Sequence, residues 1–266
     1  MTVINLFFGG LKIVSRILWF NLIFLDKNSD HFGQKLRLSL ESMGPMFIKF
    51  GQLLSTRTDL LSSNVAKELQ KLTDQCKPFD AYQSKKIIES ELGGSIEEFF
   101  EYFDESPFAA ASLAQVHKAT LKNTSQKVVI KILRPNIKRE VEKNVKLLKS
   151  FASIFSITFK ESDRLKPLEV VRDYEKTIFR ELDLKLEASN TNLTRKNFSG
   201  SKILYIPEVY WDLSTSKMLV LEEIEGIPCT DIDKIDAAGV DKKKLAENGV
   251  QIFLDQVFRD NFFHAD

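Results

Sequence analysis

The sequence predicts an α+β fold: a helical stretch, then a small antiparallel sheet interrupted by helices, then a closing helix. Three observations predict it. Only 11 Gly and 7 Pro occur in 266 residues, which favours helical content. Apolar residues recur at helical spacing from His31 to Phe103. After Pro107 the texture changes to small residues and a β-branched run, Val128-Val129-Ile130, of the kind that strands select.

The segment Val3 to Leu25 is dense in Leu, Ile, Phe and Trp19, while Asn5, Gly9, Lys12 and Arg16 fall on one helical stripe. Two cations inside the run argue against a membrane-spanning helix and for one lying in a membrane interface. The alternative is an amphipathic helix packed on its own domain. From His31 to Phe103 the pattern is helical throughout, punctuated by Pro45 and Pro78, with Phe47, Phe50, Leu53 and Leu54 on one face. Then follow a small-residue loop, Ala109 to Ser112, a strand from Leu113 to Leu121, a polar turn, Asn123 to Gln126, and a strand through Val128 to Ile130. Helical spacing returns from Ile137 to Phe155 and from Pro167 to about Phe198. Two strand candidates come next, Ile203 to Tyr210 and Lys217 to Ile224, and a last helix spans Asp241 to Arg259.

Composition narrows the function. With 38 Lys plus Arg against 37 Asp plus Glu, the net charge of +1 gives no electrostatic reason to bind nucleic acid. Cys76 and Cys229 form no CxxC pair, so neither a disulfide framework nor a zinc knuckle is indicated, and a reducing compartment is expected. His31, His117 and His264 lack a second ligand at metal-binding spacing, so no dedicated transition-metal site is expected.

Lys131 sits inside an otherwise apolar run, Val128 to Leu133. An ammonium in the middle of a core strand costs several kcal/mol unless an anion meets it, although its head can also reach solvent along the stem. The acid to meet it is expected on the long helix downstream, where Asp183, Glu187 and Asn190 stand at i, i+4 and i+7 as one stripe. On a regular helix Glu181 points about 160° away from Asp183, so the helix offers acids to two neighbours. Taken alone, such a stripe is equally a solvated face. Lys49 and Gln52 lie three apart on an earlier helix with Gly51 beside them; a helix-interior glycine costs about 1 kcal/mol against alanine, which suggests close approach of a neighbour.

Six motifs then occur in order: Phe-Ile-Lys49-Phe-Gly51-Gln52 with Leu-Leu-Ser-Thr-Arg57; Ala109-Ala110-Ala111-Ser112-Leu-Ala-Gln115-Val-His117; Val-Ile-Lys131-Ile-Leu-Arg134-Pro135; Glu181-Leu-Asp183 with Glu187; Leu-Glu222-Glu-Ile-Glu-Gly226; and Phe-Phe-His264-Ala-Asp266. From about Gly44 to the last residue the chain resembles the UbiB family of atypical, protein-kinase-like proteins that support ubiquinone biosynthesis. The resemblance implies a kinase-like N-lobe preceded by a helical extension, with an incomplete C-lobe. It divides the chain into residues 1–30, a membrane-proximal helix, 31–103, the helical extension, 104–226, the nucleotide-binding lobe, and 227–266, the start of the C-lobe.

By position, Lys131 resembles the phosphate-contacting lysine, Glu187 its ion-pair partner and Asp266 the catalytic aspartate. Ala109, Ala110, Ala111 and Ser112 stand where kinases carry a Gly-rich loop, with backbone amides facing phosphates, and Glu222 stands at the hinge beside adenine. Lys49, Gly51 and Gln52 resemble a regulatory segment that covers the cleft and meets Glu181 and Asp183. ATP and Mg²⁺ are the implied cofactors; the implied partners are a membrane surface or lipid and ubiquinone-biosynthesis proteins, at the cytoplasmic face of the membrane. Kinases place a metal-binding Asn five residues after the catalytic Asp and a further Asp in an Asp-Phe-Gly motif. Neither occurs in these 266 residues, so little phosphoryl transfer is expected of them, and a nucleotide-responsive scaffold or lipid-handling module is the alternative. A hydroxylase reading finds no Gly-x-Gly-x-x-Gly, haem cysteine or Glu-x-x-His pair.

Overall fold

The computed structural model describes residues 31–57, 61–73, 76–158 and 162–263. The apolar N-terminal segment, His264 and Asp266 lie outside the described residues. The chain divides into two compact units that alternate along it, one comprising residues up to Gln83, Ala109–Gln115 and Leu133–Leu182, the other Ser84–Phe108, Val116–Ile132 and the residues from Asp183 on. The linear partition expected from sequence is not how contacts group, because segments far apart in sequence pair up in each unit.

The first unit is mostly helical. Helices α1 (Phe32–Met43) and α2 (Pro45–Thr56) are separated by Gly44, whose φ of 103° suits a residue without Cβ, and Pro45 starts α2 at a position where no amide partner is needed. Helix α3 (Ser63–Leu69) packs on both, and Leu36, Leu40, Phe47 and Leu69 are buried together with it. Helix α6 (Ile137–Thr158) buries Val141, Val145, Leu148 and Phe151 at helical spacing, facing Val170, Val171, Tyr174 and Ile178 of α8 (Pro167–Glu181). The Tyr174 hydroxyl donates to the Met46 carbonyl at 2.8 Å and its ring meets Phe50 edge-on at 5.2 Å. Burying the phenol is therefore compatible with its polarity.

The second unit carries helix α4 (Ala81–Leu92), the short α5 (Ile96–Phe99) closed by a Ser95–Glu98 capping box, and most of the sheet. Strands β1 (Phe100–Phe103), β3 (Ala114–Leu121), β4 (Lys127–Leu133) and β5 (Met218–Glu222) lie in the order β1-β3-β4-β5, and β2 (Ala109–Ala110) pairs with β3. β1 runs antiparallel to β3 and β5 antiparallel to β4, with Lys131 opposite Leu219. The chain closes with α9 (Leu184–Asn197), α10 (Ile232–Ala237) and α11 (Lys242–Leu254), the last continued by a π-turn over Asp255–Arg259. The short α7 (Ser162–Leu165) precedes α8 in the first unit.

Three expectations change. Phe100–Phe103 is a strand, not helix: Phe100 pairs with Leu121 and Phe103 with Ala119, so cross-strand partners override local spacing. The expected single helix from Pro167 to Phe198 is two, because Leu182 and Asp183 leave helical geometry and the Leu184 amide donates to the Ser216 carbonyl at 2.9 Å. Asp183 then caps α9, accepting from the Lys185 amide at 3.1 Å. Ile203 to Tyr210 is no regular strand: Pro207 has no amide to give, the Ile203 and Leu204 amides turn to the Ser201 hydroxyl, and only Val209 bridges to Leu221.

Candidate functional site

Lys131 occupies the middle of β4, but strand alternation puts it on the less buried face. Val128, Ile130 and Ile132 are buried at 0% exposure, whereas the Lys131 side chain is 33% exposed. Of the two readings, an ammonium embedded in the core and one whose head reaches solvent, the exposure fits the second. Burial does not force the pairing; the geometry of α9 supplies it. Leu184 and Ala188 are the buried residues of that helix, and Glu187, three residues after Leu184, lies at the edge of the face they bury. Its two carboxylate oxygens each lie 2.7 Å from Lys131 Nζ.

In the other unit, Lys49 Nζ of α2 lies 3.1 Å from Glu181 Oε2 at the end of α8. Gly51 explains how α2 packs: a Cβ there would stand 2.7 Å from Leu40 Cδ1 and would also strike Leu72 Cδ1. Gln52 Nε2 donates to the Leu72 carbonyl at 3.1 Å. Glu181 and Asp183 do not act as two faces of one helix; the first is ion-paired at the end of α8, and the second caps α9.

The alanine run forms a tight turn. The Ala111 amide donates to the Ala114 carbonyl at 2.9 Å, and the Ala110 carbonyl accepts from the Cys76 amide at 3.2 Å. Ser112 is 2% exposed, and its Oγ has no hydrogen-bond partner among the described residues. Glu222, at the end of β5, accepts from the Tyr205 hydroxyl at 2.7 Å and the Glu208 amide at 3.1 Å, with Arg195 3.8 Å away. This hydrogen bond holds the Tyr205 phenol above its ordinary pKa. The next acid, Glu223, pairs with Lys118 of β3.

Two residues of the site region were named in the sequence motifs without a role. Arg134 donates to the Ala111 and Lys77 carbonyls, both at 2.9 Å, and Gln115 Oε1 accepts from the Phe79 amide at 3.0 Å. Only their polarity beside an apolar strand hinted at this. His117, fully buried, has Nδ1 2.8 Å from the Asp104 carbonyl and stacks on Phe103 at 5.0 Å. A carbonyl can only accept, so Nδ1 carries the proton. Burial holds this imidazole below its usual pKa.

The ABC1 atypical kinase-like domain model matches residues 71–266. The chain belongs to this family. ABC1 relatives include proteins named probable protein kinase UbiB from Vibrio campbellii and from Pseudomonas putida, each 49% identical over 234 residues, and one from Marinobacter nauticus, 48% identical over 234. Each match covers 88% of this chain and 43% of the relative, so the chain spans less than half of those proteins' length. Among solved structures, the Rv3197–erythromycin complex from Mycobacterium tuberculosis matches with a TM-score of 0.50 and 22% identity, covering 86% of this chain and 53% of that one. That likeness concerns the fold. The ABC1 chain is an α+β protein with a small antiparallel sheet and helices ahead of it, as the sequence predicted.

Proposed function

We propose that the chain is the nucleotide-binding part of a UbiB-like atypical kinase or ATPase that serves ubiquinone biosynthesis at a membrane surface. The observation that supports this most is the bidentate approach of Glu187 to Lys131. An ammonium has three donors. Both carboxylate oxygens approach the ammonium from one side, so donors remain on its other side, and a one-third-exposed ammonium suits a phosphate oxygen there. The alanine turn and the backbone at Glu222 are assigned the phosphate-facing and adenine-facing roles through the family resemblance, and the Lys49–Glu181 pair the regulatory role.

Mg²⁺, when bound with the nucleotide, would neutralise phosphate charge. Among the described residues no cluster of three or more His, Cys, Asp or Glu is arranged to hold a metal. No step is therefore assigned to the ion. Among the described residues no helix is long and apolar enough to cross a membrane; the membrane role rests on the amphipathic Val3 to Leu25 segment.

The test is isothermal titration of MgADP and MgATP into the 266-residue protein and its Lys131→Ala variant, with phosphate release followed in parallel. Binding at least tenfold weaker in the variant, with little turnover by either protein, is expected. Equal affinities would overturn the nucleotide role of Lys131. Robust Mg²⁺-dependent turnover would overturn the expectation that these 266 residues bind without catalysing.

A further inference from the structure

Arg134 lies one residue beyond β4 and touches two segments of one unit. Its Nε donates to the Ala111 carbonyl and its Nη2 to the Lys77 carbonyl, each at 2.9 Å, while its guanidinium carbon sits 5.7 Å from the Phe79 ring centroid. Its own amide donates to the Leu113 carbonyl at 2.8 Å. The segment around Cys76 to Phe79 is tied to the same loop by the Cys76 amide on the Ala110 carbonyl and the Phe79 amide on Gln115 Oε1. The segment is a strap along the alanine turn, and Arg134 is its clasp.

The peptide plane makes this directional. A carbonyl and the amide of the following residue point opposite ways in one rigid unit. Holding the Ala111 carbonyl against the guanidinium therefore aims the Ser112 amide away from it. Alanine side chains carry no polar group, so this turn can take its orientation only from such backbone contacts. Beside that amide stands the Ser112 hydroxyl, buried and without a partner among the described residues. Buried hydroxyls are seldom left so.

We infer that Arg134 is a positioning residue: by fixing the Ala111 carbonyl it aims the Ser112 amide and hydroxyl at an anionic group of the ligand, a nucleotide phosphate. This rests on the nucleotide reading above. Lysine at this position keeps the charge but loses the planar fork that reaches two carbonyls at once.

The experiment compares the full chain with Arg134→Gln and Arg134→Lys, by amide hydrogen exchange and by MgADP titration. In Arg134→Gln the amides from Ala110 to Ala114 should exchange at least tenfold faster, with β5 and α9 unchanged. MgADP should bind at least fivefold more weakly while the thermal midpoint stays within error of wild type. Arg134→Lys should fall between. Unchanged loop exchange in Arg134→Gln overturns the clasp. Faster exchange with undiminished MgADP affinity overturns the positioning role. If the wild-type chain takes up no MgADP at all, the nucleotide reading and the target of the clasp fall together, while exchange still decides whether Arg134 shapes the loop.

Discussion

At the scale of single residues, the Lys131–Glu187 pair separates function from stability. Both side chains are about a third or more exposed, so the pair contributes at most ~1 kcal/mol to folding. Glu187→Gln should shift the urea midpoint little yet weaken MgADP binding severalfold, a split read by combining denaturation with titration. The acidic stripe was legible in the sequence, but its spacing did not choose between Asp183 and Glu187; the family resemblance named Glu187, and it is Glu187 that meets Lys131. The face was not legible: the apolar run Val128 to Leu133 hides the alternation that puts Lys131 beside Val129 on the half-buried side. Ser112 gives the opposite balance. A buried hydroxyl without a partner costs ~1–3 kcal/mol, so Ser112→Ala should raise folding stability by about 1 kcal/mol in chemical denaturation. Saturating MgADP should shrink that gain, since the ligand would then satisfy the wild-type hydroxyl.

At the scale of elements, what the sequence conceals is where helices stop. Helical spacing continues from Pro167 through Phe198, and nothing in periodicity marks the break at Leu182, because its cause is remote: the Leu184 amide is taken by Ser216. The Asp183 cap was a readable signal, an N-cap residue inside a helical pattern. Asp183→Ala should cost about 1 kcal/mol, and Asp183→Asn much less, because asparagine also accepts from the Lys185 amide. Urea denaturation of both variants measures this; equal losses would mean that charge at the helix start, rather than the cap bond, is what matters. The β3–β4 hairpin was legible for the converse reason. Its turn, Asn123 to Gln126, sits between strands that are neighbours in sequence and in space, so local chemistry and tertiary pairing agree.

At the scale of the whole molecule, the interleaving of the units escaped the sequence because each is assembled from pairings remote in sequence, such as Tyr174 with Met46 in the first and β4 with β5 in the second. Stability against pH is also a property of the whole chain, and its sign can be worked out group by group. His117 is held below its ordinary value of 6.5, first by burial, against a weaker upward pull from the Asp104 carbonyl. The unfolded chain therefore takes up a proton near pH 6.5 that the folded chain does not yet accept, and folding stability falls as pH drops from that point toward the folded pKa. Glu98, held below 4.5 by its bonds to Ser95, contributes stability that is lost at lower pH, as the medium acidifies through the carboxylate range. Two separate losses on acidification are the expected result. Replacing His117 with asparagine keeps a donor toward the Asp104 carbonyl but removes the titrating ring. In urea titrations between pH 8 and pH 5 that variant should be less stable than wild type at pH 8, yet nearly flat with pH. Parallel slopes for the two proteins would show that His117 is not the group behind the first loss of stability.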